Sequence, residues 1–267
     1  MRVTRNLSIW VTCLLPLLLL LSRPLSAEMS LSERSLPADT VIKDTFQAGA
    51  GMPVGKIQSV RGEINIFHRE PSVGYRAKSG LPLYMGDTLQ TRQDSRVLFR
   101  LVDGSRLAMA PGTRLTLLQT NVNSARKSSL AFLVLTKGGA RFYVNPRPDL
   151  AMFEFKVETE TAFIQAQTAD FVIKADPENT EIATFENSRL EVTSLAEPEE
   201  INLLSDYQRT VITTESVAPS VETLSAADAE ELMAEFRLVP ANELIASGST
   251  AFRTDAIVEK DLDEPAD

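Results

Sequence analysis

From Val54 onward, apolar and polar residues alternate along the chain, interrupted by short turn sequences. A period of two puts one face of a strand on a core and the other on solvent. Ile64-Asn65-Ile66-Phe67 follows Arg61-Gly62 and opens the pattern. Val97, Phe99 and Leu101 alternate with Arg96, Leu98 and Arg100, and Leu107-Ala108-Met109 begins a second run after Asp103-Gly104-Ser105. Two alternating runs joined through Asp-Gly predict a hairpin, because a tight primed turn needs positive φ. Pro111-Gly112 predicts another turn, leading into a strand from Leu115 to Leu118. Leu130 to Leu135 is an apolar run that Lys137-Gly138-Gly139 is expected to turn and Phe142-Tyr143-Val144 to return. Further strands are expected around Phe153–Val157, Ala162–Ile164, Phe171–Ile173, Ile182–Phe185, Leu190–Val192 and Arg209–Thr213.

Strands spaced in this way, with no long helical pattern between them, predict an all-β fold. The sequence admits either an antiparallel β-sandwich or a β-roll of many short strands. One short C-terminal amphipathic helix is predicted at about 226–237. Ser225 supplies the cap, Asp228 stands three residues on, Leu232, Met233 and Phe236 form the apolar stripe, and Pro240 follows.

The ends differ from this middle. Arg2 and Arg5 precede an uncharged run from Leu7 to Leu21, and Arg23-Pro24 and Leu25-Ser26-Ala27 close it. That order of charge, short apolar core and small residue reads residues 1–27 as a signal peptide; an uncleaved N-terminal anchor is the alternative. Residues 28–52 read as a linker, 53–215 as the β domain and 216–253 as a C-terminal extension. Residues 254–267 are acidic, lack aromatics and are expected to be a disordered tail. The only cysteine, Cys13, lies inside the apolar run, so the exported chain would have no disulfide and no thiol chemistry. A periplasmic location is the expectation.

Charge is unevenly spread. Residues 28–175 hold 19 basic and 14 acidic residues, whereas 176–267 hold 5 basic and 22 acidic. The acidic end is either a solvated tail or a segment that folds back on the basic part or meets a cationic partner. No basic stripe with interleaved aromatics suggests nucleic acid.

Candidate chemistry is sparse. His68 is the single histidine and reads as a solvated side chain at a strand end. Asp87 and Asp103 each neighbour a glycine. Paired carboxylates can do acid–base work, but Asp beside Gly is also what a tight turn demands, and the turn reading is adopted. No nucleophile motif, phosphate loop or calcium loop is present. No catalytic residue, metal site or cofactor is expected, and no membrane span is expected after signal cleavage. Tyr75, Tyr84 and Tyr143 are the rings on which a sugar would stack, although aromatics make up only 6% of residues.

The order of these elements resembles a known family. Val60-Arg61-Gly62-Glu63-Ile64 is followed by Gly86-Asp87-Thr88-Leu89-Gln90-Thr91 and by Asp103-Gly104-Ser105-Arg106-Leu107. Leu130 to Gly139 and Phe155-Lys156-Val157-Glu158-Thr159 complete a series that resembles the FecR domain, named after a periplasmic regulator of ferric citrate uptake. The resemblance covers roughly 54–213. It implies a periplasmic or surface-exposed β domain that receives or relays signals through protein contacts, and it brings no catalytic residues. The family's shared positions map onto Gly62, Gly86, Asp87, Asp103 and Gly104, with turn geometry as their role. Two features depart from the family. Only six residues precede the apolar run, so no segment that handles a sigma factor is expected. Where the family often has Arg-Gly-Thr-x-Phe, this chain reads Gln167-Thr168-Ala169-Asp170-Phe171. The functional expectation is therefore a non-enzymatic protein-interaction or sensing module with an envelope protein as partner. The alternative is a domain that binds carbohydrate or the cell wall, with glycan or peptidoglycan as ligand.

Overall fold

The computed structural model describes residues 40–69, 73–145, 149–215 and 220–238. The signal-peptide and acidic-tail readings lie outside them, as do Pro240 and residues 28–39. In chain order the strands are β1 (Val41–Lys43), β2 (Gly55–Arg61), β3 (Ile64–Phe67), β4 (Val73–Arg76), β5 (Pro82–Leu83) and β6 (Thr88–Thr91). There follow β7 (Arg96–Leu101), β8 (Arg106–Met109), β9 (Arg114–Asn123), β10 (Ser128–Val144), β11 (Met152–Glu158) and β12 (Ala162–Ala166). The last are β13 (Ala169–Ala175), β14 (Asn179–Thr184), β15 (Leu190–Ser194), β16 (Ile201–Leu204), β17 (Gln208–Thr213) and β18 (Val221–Thr223), then helix α1 (Ala226–Glu235).

These strands build two layers over one core. One layer runs β1-β4-β3-β6-β9-β10-β11-β12-β15-β16. The other runs β5-β2-β7-β8-β10-β13-β14-β17-β18. Pairing is antiparallel except for β1 with β4 and β10 with β11. The chain crosses repeatedly between the layers, so each adds strands in step, and the combined sheet stays open rather than closing into a barrel.

The predicted alternation on β7 holds: Val97, Phe99 and Leu101 are buried. Phe99, Leu107, Phe142, Phe155 and Phe171 are all fully buried in one cluster. Phe142 stacks on Phe171 at 4.9 Å between centroids and meets Phe155 edge-on at 6.0 Å. Such aromatic pairs add to what area burial alone supplies.

Two readings are corrected. Lys137-Gly138-Gly139 does not reverse the chain. It sits inside β10, whose first part pairs with β9 in one layer and whose part from Gly138 onward pairs with β8 and β13 in the other. Gly138 has φ +87°, and a Cβ there would lie 2.6 Å from the Cα of Thr113. Thr113 Oγ1 accepts from the Gly139 N–H and donates to its carbonyl, both at 2.9 Å, so both backbone groups of Gly139 are paired at the bend. The sequence signal for a turn was thus a local change of direction between layers. The 28–52 stretch is also more than a linker. It contributes β1, and Phe46 packs on the main core.

The helix lies on the outer face of the second layer. Leu224, Ala229, Leu232 and Phe236 form a second apolar cluster with Ala108, Ala110, Val172, Ala183 and Phe185. Ser225 caps it, accepting from the Asp228 N–H at 3.1 Å. Among the described residues no helix is long and apolar enough to cross a membrane.

Candidate functional site

The outward side chains of the second layer form a row. The β7–β8 register sets Arg100 opposite Arg106, β8–β10 sets Arg106 opposite Tyr143, and β10–β13 sets Tyr143 opposite Asp170. Their inward neighbours Phe99, Leu107, Phe142 and Phe171 anchor the row in the core. Arg141, two residues before Tyr143, donates to both oxygens of Asp170, at 2.9 and 2.7 Å. Its guanidinium lies over the Tyr143 ring at 4.5 Å and over Phe185 at 5.0 Å, and Arg106 lies 5.0 Å from the Tyr143 centroid. Burial, and then the charge of Asp170, push the Tyr143 hydroxyl above its ordinary range, so it stays a neutral donor. Arg100, Arg106 and Tyr143 line a cleft of about 360 Å³, with Asn145, Thr168 and Asn187 on its walls. Arg141 and Asp170 satisfy each other, whereas Arg100 and Arg106 have no ion pair among the described residues.

A second cluster surrounds His68. Its Nδ1 lies 2.7 Å from Asp87 Oδ1, and its Nε2 lies 2.8 Å from the Gln47 carbonyl oxygen. Phe46, Tyr75 and Tyr84 pack around the imidazole at 5.7 Å or less from ring to ring where Phe46 and Tyr75 meet it, and at 5.8 Å for Tyr84. Asp87 Oδ2 accepts the Tyr84 N–H at 2.8 Å, which closes the Tyr84–Asp87 turn. Burial raises the Asp87 carboxyl, and the bonds to His68 and Tyr84 oppose that rise. His68 is therefore not the solvated strand-end side chain expected, because the folded part of the 28–52 stretch reaches it.

A larger groove, about 590 Å³, runs along the end of α1 between Arg96, Lys174 and Glu235. Its cations are committed to the helix: Lys174 Nζ donates to Glu235 at 2.8 Å and Arg96 Nε to the Glu235 carbonyl at 2.6 Å. It is the docking seam of the helix.

The five positions singled out in the sequence do not converge. Gly62, Gly86 and Gly104 have φ of +79°, +89° and +102° and stand in separate turns. Asp103 accepts the Ser105 N–H at 2.8 Å, and burial raises its carboxyl against that bond and the nearby Arg100 charge. Only Gly104 touches the arginine cleft. No group of three His, Cys, Asp or Glu residues that could hold a metal exists among the described residues. Thr168, at the place of the family's glycine, has no positive φ, so that turn does without one. Arg100, Arg106 and Arg141 were missed as site residues; their one signal was their place at the outward positions of alternating strands.

Two crystal structures of a candidate anti-sigma factor from Parabacteroides distasonis ATCC 8503 are similar to this chain. One is 17% identical with a TM-score of 0.43, covering 55% of this chain and 64% of its own. The other is 16% identical with a TM-score of 0.44, covering 60% and 71%. The chain thus spans about two-thirds of the length of that protein. No curated protein matches the chain. The family model described as FecR protein matches residues 87–188, from the buried carboxyl of the His68 cluster to the serine that bonds the Asp170 backbone. Over that stretch the chain matches the FecR family.

Proposed function

We propose that this chain is a periplasmic signal-sensing or regulatory module that acts by binding an envelope protein, and that it is not an enzyme. The FecR match from Asp87 to Ser188 is the observation that carries this reading. The charged, then apolar, then small-residue order of residues 1–27 supports export. The carboxyls considered for acid–base work support a regulatory reading over a hydrolytic one: Asp87 holds His68 and Tyr84, and Asp103 holds its own turn. The wall-binding alternative has less support, because Tyr75 and Tyr84 are each 6% exposed and the Tyr143 ring already carries the guanidinium groups of Arg106 and Arg141. Capture with the tagged full chain from envelope extracts tests the proposal. One protein should be enriched, and its recovery should fall with Arg100→Gln. A blank from folded bait, or recovery of wall fragments alone, would overturn it.

A further inference from the structure

The arginine cleft is built like a receptor for carboxylates. Arg100 and Arg106 face each other across adjacent strands. Like charges directly opposite on a sheet are unfavourable, and neither guanidinium forms an ion pair among the described residues, although the Arg100 charge is felt by the buried Asp103 carboxyl. The planar donor fork of arginine matches a carboxylate in two bonds at once. The Tyr143 hydroxyl and the side chains of Asn145 and Asn187 line the same cleft and supply neutral donors. Asp170 is held by Arg141 and does not neutralise the pair. Glu186, at the rim, is exposed.

An acidic segment of the same chain lies within reach. The described chain leaves α1 at Leu238, whose carbonyl accepts from Arg61, and Arg61 stands opposite Arg96 on β7. From Arg96 to Arg100 is four residues of strand, about 13 Å. Residues 239–254 intervene before Asp255, and sixteen residues of extended chain span about 50 Å. Residues 255–267 carry Asp255, Glu259, Asp261, Asp263, Glu264 and Asp267 against one base, Lys260.

We propose that the 255–267 segment binds in the cleft between Arg100 and Arg106, as a tethered carboxylate ligand that covers this face of the FecR domain. The inference stands independently of which partner the module binds. Tethering makes a weak contact sufficient: a short linker gives an effective concentration on the order of 1 mM.

The test uses the full chain and a fluorescent peptide of sequence 255–267, followed by anisotropy at low salt. The competitor variant neutralises the tail with Asp255→Asn, Glu259→Gln, Asp261→Asn, Asp263→Asn, Glu264→Gln and Asp267→Asn. Removing the competing tail should tighten peptide binding severalfold, because the tethered segment competes at an effective concentration on the order of 1 mM. Adding Arg100→Gln and Arg106→Gln to that variant should abolish binding. Arg106→Lys, which keeps the charge and loses the fork, should weaken it. Equal binding by the native and neutralised chains would show that the tail does not occupy the cleft and would overturn the proposal. Binding that survives loss of both arginines, or no binding by the neutralised chain, would overturn it as well.

Discussion

His68 and Asp87 share a contact of 2.7 Å between Nδ1 and Oδ1, while Nε2 of the same ring lies 2.8 Å from the Gln47 carbonyl oxygen. A carbonyl only accepts, so Nε2 carries a hydrogen. Nδ1 then either donates to the Asp87 carboxylate or accepts from its acid form. In both cases the pair ties the segment after β1 to the residue at which the FecR match begins. His68→Ala and Asp87→Ala should each release that segment at a cost of about 1–3 kcal/mol. Amide exchange at Val41–Lys43 should accelerate while β7 and β10 stay protected. Unchanged exchange in β1 would show that the parallel pairing with β4 holds it alone.

Asp103 predicts a pH dependence. Burial raises its carboxyl in the folded protein above the ordinary 3.8, with the Ser105 bonds and Arg100 opposing. The folded state therefore binds the proton more tightly than the unfolded chain. Stability from this group grows as pH falls from above the raised value toward 3.8 and is lost as pH rises through that window. Asp103→Asn removes the titration. Urea melts should show the Asn protein gaining most over the wild type near neutrality, with the gap closing as pH falls.

At Gly138 the bend of β10 has no room for a side chain. Gly138→Ala places a Cβ 2.5 Å from Thr113 Oγ1 at φ +87° and should cost about 2–3 kcal/mol. Gly112, at φ +67° with nothing within 4 Å, is the control, and its Ala variant should cost only about 1 kcal/mol. Equal losses in urea would mean that the Thr113 contact yields.

Phe99 is fully buried between the layers. Phe99→Ala should cost about 3–5 kcal/mol, read as a lower urea midpoint at constant slope. Leu98, on the other face of the same strand, packs only partly against α1, and its truncation should cost less.

Much of this protein follows from local order. The hairpin of β7 and β8, the inward Phe99 and Leu107, the helix behind Ser225 and the FecR turn residues can be read from the sequence, because each depends on neighbours within a few positions. What only the tertiary structure decided is contact between distant parts of the chain. Tyr143 meets Arg106 across 37 positions because one 17-residue strand changes layers at Gly138, where the sequence alone suggested a reversal. His68 finds Asp87 because β3 pairs with β6, and Gln47 because β1 docks beside β4. Alternation tells which side chains leave the core; strand order, set by packing two layers over one core, decides which of them meet.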